Sequence, residues 1–243
     1  MNWYYGIGLF SISTLAGFGG IYLHGRLTRD VKVLLAFSGA YLFALAIMHL
    51  LPEIYIHLGH EAGYYVLGGF IIQMVMDYFS RGVEHGHVHH HVGDKMTFPL
   101  SLFISLILHS IIEGLPLGGG FDHSHGGHQF ETESLLVGLA IHKIPEALAL
   151  AAILYHVFAK KKKVMLHVGI YALATPLGMF LGHTILDESN MDVTRVYSII
   201  LSLAVGIFLH VSTTIIFEAD EDHRLSWRKA LAIILGLTLV LFI

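Results

Sequence analysis

The chain has 243 residues, 55% of them apolar and only 13% charged, with a mean hydropathy of +0.68 and a net charge of −4 when histidine is neutral. Soluble domains carry about 25% charged residues, so this composition excludes an ordinary soluble protein and implies an all-α polytopic membrane protein with no separate soluble domain. Cysteine is absent, which removes disulfides and thiolate metal sites, while nineteen histidines outnumber the fourteen Lys plus Arg. Any bound metal must therefore be held by nitrogen and oxygen donors, and the histidine bias is itself a metal signal.

Crossing a bilayer takes about 20 apolar residues, and the chain offers eight such stretches, near 3–23, 31–51, 63–80, 98–119, 134–158, 164–186, 194–217 and 227–243. Together they form a single transmembrane domain, 1–243. Met1 leads straight into apolar sequence without a basic leader or cleavage site, and the first stretch reads as a retained helix. Twelve of the fourteen Lys and Arg fall in the loops after spans 1, 3, 5 and 7, against Arg195 alone on the other side. The positive-inside rule then places both termini outside and the 81–97 loop in the cytoplasm.

Span 2 closes on His49, Leu50, Leu51, Pro52 and Glu53, with the proline expected to mark the outer end of the helix. His49 and Glu53 are candidate entrance residues for a cation. The two outer loops add His57, His60 and Glu61, then Asp122, His123, His125 and His128, with no Lys or Arg among them. Such loops concentrate cations near the mouth of a pathway. The cytoplasmic loop carries EHGHVHHH, in which His85, His87, His89, His90 and His91 make a loose, exchangeable metal-binding tract.

Spans 4 and 5 hold the central pattern. LILHSIIEGLPLG carries His109 and Glu113, and LAIHKIPEALALA carries His142 and Glu146. Residues i and i+4 share one helix face, so each helix aims an imidazole and a carboxylate at one place. Ionisable groups at membrane depth are costly without a partner or a task. Two such pairs compose an N₂O₂ cage for a divalent cation. Pro116 and Pro145 each withdraw a donor from a carbonyl four residues earlier, those of Ile112 and Ile141, as in the interrupted helices of transporter sites. Span 6 repeats the device at Thr175–Pro176. Gly114, Gly118, Gly138 and Ala140 are expected to let spans 4 and 5 approach closely. Lys143, inside span 5, costs about 2.5–3.5 kcal/mol on insertion scales. It is expected to pair with a glutamate of the cage or to stand where a second cation would bind.

With HLLPE at 49–53, HSIIEG at 109–114 and HKIPE at 142–146, the chain resembles the ZIP (Zrt/Irt-like) family of divalent metal transporters over nearly its whole length, in the style of its bacterial members. The resemblance implies a 3+2+3 inverted-repeat architecture, homodimers, elevator-like alternating access, and uptake of Zn2+ into the cytoplasm between helices 4 and 5. Many members hold two metals there with polar or acidic residues at places occupied here by Ser110, Lys143 and Thr175. These three tuning positions point to a mainly mononuclear site with His109, Glu113, His142 and Glu146 as ligands. Imidazole and carboxylate suit Zn2+ and also Fe2+, Mn2+, Co2+ or Cd2+.

The expected partners are the metal ion and the lipid bilayer, not a nucleic acid, and the ion is cargo rather than a cofactor. The expected location is the cell (inner) membrane. Two readings compete: an intramembrane metal-dependent hydrolase, which would need an HExxH arrangement or a spare general base that the sequence lacks, and a metal sensor working through the histidine tract. The chain is expected not to be an enzyme.

Overall fold

The computed structural model describes residues 3–23, 28–80, 98–119, 128–189, 192–217 and 226–242. The histidine tract at 85, 87, 89, 90 and 91 lies outside the described residues, as do Asp122, His123 and His125 and the side chain of His128. Among the described residues the fold is entirely helical: α1 (Trp3–Leu23), α2 (Thr28–Leu45), α3 (Leu51–Leu58), α4 (Glu61–Ser80), α5 (Leu100–Gly114), α6 (His128–Phe158), α7 (Lys161–Asp187), α8 (Val193–Phe217) and α9 (Trp227–Leu239). Six stretches of the described residues are long and apolar enough to cross a membrane: Trp3–Tyr22, Val31–Leu58, Leu100–Gly118, Glu133–Phe158, Lys161–Asp187 and Val193–Phe217. Leu15, Ile72, Leu173 and Leu235 are exposed on the helix surfaces, as side chains facing lipid are. This is an all-α polytopic membrane protein.

Pro52 does not end the second stretch. A π-helical turn, Ala46–Leu50, follows α2 and hands over directly to α3, with Pro52 in the first turn of α3. The amide of Leu51 reaches back to the carbonyl of Ala46. A widened turn shifts the hydrogen-bond register before the proline, whose missing N–H then falls where a helix start needs none. The helix ends instead at Gly59, where φ is 55° and ψ is −136°, a combination accessible in practice to glycine alone. His57 therefore lies in the last turn of α3, and Glu61 opens α4.

The helices sort into two groups. In one, α1 packs on α6 and α7, and α7 packs on α5; in the other, α2 with its continuation α3 packs on α8, α4 on α8, and α9 on α2. Exchanging the first three segments with the last three, and α5 with α6, maps α1–α6 onto α7–α5 and α4–α8 onto α9–α2. It leaves α1–α7 and α2–α8 as they were. Other contacts do not follow this exchange: α2 packs on α6 and α4 on α5, while their counterparts, α8 on α5 and α9 on α6, are slight among the described residues. One apolar cluster, including Ile21, Leu102, Leu106, Leu150, Leu154, Val168 and Tyr171, belongs wholly to the first group.

The small residues do not serve the contact expected of them. Gly114 and Gly118 lie against the backbone of α7, at Thr175 and Met179, and Gly138 faces Tyr41, Leu42 and Leu45 of α2. The backbones of α5 and α6 are not close-packed on one another. The tight seam is α5–α7, where a Cβ on Gly178 would meet the carbonyl of Ile111. Small residues spaced four apart on both helices permit that approach. Gly178→Val is expected to cost about 3 kcal/mol through overpacking, a melting temperature lower by roughly 6–12 °C. Gly169→Val, on the same helix with open space around its α-carbon, supplies the control; equal melting of the two variants would count against the seam.

Candidate metal site

α5 and α6 meet through side chains rather than backbone. His109, Ser110 and Glu113 are buried on α5, and His142, Lys143 and Glu146 on α6. The helical period places each His–Glu pair on one face, and the two faces converge across the gap between the helices. His109, His142 and Glu146 present ligand atoms that all lie within 4.8 Å of one another. Glu113 stands beside this trio, its Oε1 3.0 Å from His109 Nε2. His142 Nε2 is 4.0 Å from Glu146 Oε2. All six side chains are at most 7% exposed, so the arrangement is shielded from bulk dielectric.

Lys143 occupies the centre of the acidic side. Its Nζ lies 2.6 Å from Glu113 Oε2 and 2.8 Å from Glu146 Oε2, and it donates to Ser110 Oγ at 2.8 Å. The Tyr171 ring completes its surroundings, with the centroid 5.3 Å from Nζ. The ammonium thus bridges the two carboxylates on behalf of both helices. Burying a charge this deeply is tolerable only with such pairing, and of the two alternatives open for Lys143 in the sequence the geometry contains the pairing with glutamate. Ser110 is a lysine partner. Thr175 is buried on α7, where its carbonyl lies against Gly114.

The imidazoles are held from behind by the other helix group. His109 Nδ1 is 3.0 Å from Gln73 Oε1 on α4, and Gln73 Nε2 donates to Asp77 Oδ1 at 2.8 Å. Asp77 Oδ2 in turn lies 3.2 Å from His210 Nδ1 on α8. His142 Nδ1 is 3.4 Å from Ser38 Oγ on α2. Gln73, Asp77, Ser38 and His210 escaped the reading of the sequence. The signal was present in the first pair, two polar residues four apart in an otherwise apolar stretch, which is the rule that singled out His109 and Glu113.

The entrance candidates sit apart from this cluster. His49 is in the π-helical turn, and Glu53 Oε1 accepts or shares a proton with His57 Nε2 at 2.8 Å. Pro116 falls in a short 3₁₀ segment, Leu115–Gly118, that continues α5. The carbonyl of Ile112 is not freed, since it accepts from the amide of Leu115. The tighter turn supplies the replacement bond. Pro145 and Pro176 lie inside continuous helices.

Residues 84–243 match the profile of the family described as ZIP Zinc transporter. The chain is 22% identical over 148 residues to zinc transporter ZIP9-B of Xenopus laevis, covering 60% of this chain and 48% of that protein. It is 25% identical over 129 residues to zinc transporter ZIP1 of Danio rerio, covering 53% and 40%. With zinc transporter 3 of Arabidopsis thaliana it shares 24% over 222 residues, covering 77% and 64%. The chain spans about half the length of the first of these relatives. The matched region, about two thirds of the chain, holds α5 to α9 and with them both His–Glu pairs: the chain belongs to the ZIP zinc transporter family.

Proposed function

We propose that this protein carries a divalent cation, Zn2+ in the first instance, across the cell (inner) membrane into the cytoplasm through a mononuclear site between α5 and α6. The observation that carries this reading is the convergence of His109, His142 and Glu146 within 4.8 Å, on two helices long and apolar enough to cross a membrane. Two imidazoles and a carboxylate match the borderline character of Zn2+, and also admit Fe2+, Mn2+, Co2+ and Cd2+. Glu113 is the fourth ligand, one contact away at His109.

The lysine argues for one ion rather than two. A second cation beside the first would need the carboxylate oxygens that the ammonium already holds at 2.6 and 2.8 Å. A titration that finds two ions per chain at this site would refute the mononuclear reading. The remaining expectations form one consistent picture: eight crossings, both termini outside, entry past His49 and Glu53, and release toward the cytoplasmic histidine tract. The two helix groups supply a means of alternating access, because the ligands ride on one group and can move against the other; homodimers would anchor the stationary group. A hydrolase is disfavoured by the same geometry. Glu113 and Glu146 are both taken up as ligands, which leaves neither spare as a base to activate water.

The test is uptake of radioactive Zn2+ into proteoliposomes, with empty vesicles beside them. Accumulation above the empty vesicles supports transport, and its absence for Zn2+, Fe2+ and Mn2+ alike overturns it. Ligands must be deprotonated to bind metal, and histidine ordinarily titrates near pH 6.5. Protons therefore compete with the cation, and uptake is expected to fall as external pH drops from about 7.5 to about 5.5. A flat rate across that interval would contradict a site built on imidazole.

A further inference from the structure

We infer that Gln73 is a positioning residue for the metal site, and that the helix group without ligands decides which ring nitrogen each histidine presents to the ion. This rests on the transport reading for its purpose, but its geometry is independent of it.

The argument follows the donors. The Asp77 carboxylate accepts hydrogen bonds, so the Gln73 amide nitrogen must face it, at 2.8 Å. That fixes the amide, and its carbonyl oxygen is what faces His109 Nδ1 at 3.0 Å. A carbonyl oxygen cannot donate. His109 must then carry a hydrogen on Nδ1, and Nε2 is the nitrogen turned toward Glu113 and the cage. The Asp77 carboxylate is held in its turn by His210 Nδ1 at 3.2 Å.

The same logic reaches the second imidazole by a different route. Ser38 Oγ donates to the carbonyl of Leu35 at 3.1 Å. Its hydrogen is committed there, so toward His142 Nδ1, at 3.4 Å, the oxygen acts as acceptor. His142 likewise shows Nε2 to the site. Both histidines are therefore set by α2 and α4, neither of which supplies a ligand. Outer partners of this kind fix a histidine's tautomer and ring orientation and raise its basicity as a ligand. Movement of one helix group past the other withdraws both partners together, which lowers affinity at the moment of release.

The experiment measures Zn2+ affinity of the purified full-length protein in nanodiscs by calorimetry, beside the KM of Zn2+ uptake in proteoliposomes. Gln73→Met keeps the bulk and removes the acceptor; it is expected to weaken binding and raise KM by about 10-fold or more, within the range for outer-partner loss. Gln73→Glu combined with Asp77→Asn restores an acceptor oxygen toward His109 and, through the new amide at position 77, the donor of the contact now made at 2.8 Å; this pair is expected to recover most of the affinity. Because Asp77 acts through Gln73, adding Asp77→Asn to Gln73→Met should weaken binding no further, a non-additivity that separate packing roles would not give. Wild-type affinity in Gln73→Met, or no recovery in the Gln73→Glu/Asp77→Asn pair, overturns the inference. If the wild type binds Zn2+ and His109→Ala does not, yet vesicles accumulate no metal, transport fails while the calorimetric comparison still decides the role of Gln73.

Discussion

His142→Ala is expected to lower Zn2+ uptake by more than about 100-fold, because loss even of an outer partner costs about 10–100-fold and His142 is one of three groups whose ligand atoms converge. The three remaining donors, His109, Glu113 and Glu146, cannot replace the water stripped from the ion. His156 supplies the control on the same helix. It is exposed, and its Nδ1 meets the carbonyl of Ala152, so His156→Ala should transport at the wild-type rate. The comparison is made by initial-rate uptake at equal protein density in the vesicles. Substantial uptake by His142→Ala would move the site elsewhere in the chain.

Lys143→Met is expected to destabilise the metal-free protein and to make it depend on metal for its stability. The substitution leaves Glu113 and Glu146 facing each other in a buried site without the ammonium that now lies within 2.8 Å of both. Removing one partner of a buried charge network costs about 3–5 kcal/mol. A divalent cation can then supply the missing positive charge, and ligand that binds the folded state stabilises it by mass action. Melting in nanodiscs should therefore drop by roughly 6–20 °C in the presence of chelator, and saturating Zn2+ should raise the variant's melting temperature by more than it raises that of the wild type. Equal metal stabilisation of the two proteins would mean that the ammonium and the cation do not share the acidic side of the site.

The seam at α5–α7 and the relay through Gln73 show where local sequence stops being informative. Gly114 and Gly118 are spaced to allow a close helix neighbour, but the spacing says nothing about which neighbour, and the packing chose α7 over α6. Pro52 breaks the hydrogen-bond ladder in any helix, but whether the chain stops or slips register depends on what surrounds it; a π-helical turn absorbs it here.

What the sequence determined by itself follows from short-range rules. Low charge content and long apolar runs dictate a membrane-spanning helical chain, the absence of cysteine limits metal donors to nitrogen and oxygen, and the 3.6-residue period places His109 with Glu113 and His142 with Glu146. The spacing within each pair is a property of one helix and needs no knowledge of the rest. What the tertiary structure decided lies between helices. The bond from His109 to Gln73 spans 36 residues and that from His142 to Ser38 spans 104, and the lysine of α6 finds Glu113 and Ser110 on α5. Such contacts depend on which helices face one another and at what height. Those choices are made by the packing of all the helices together, through seams such as Gly178 on Ile111, and no periodicity within a single helix encodes them.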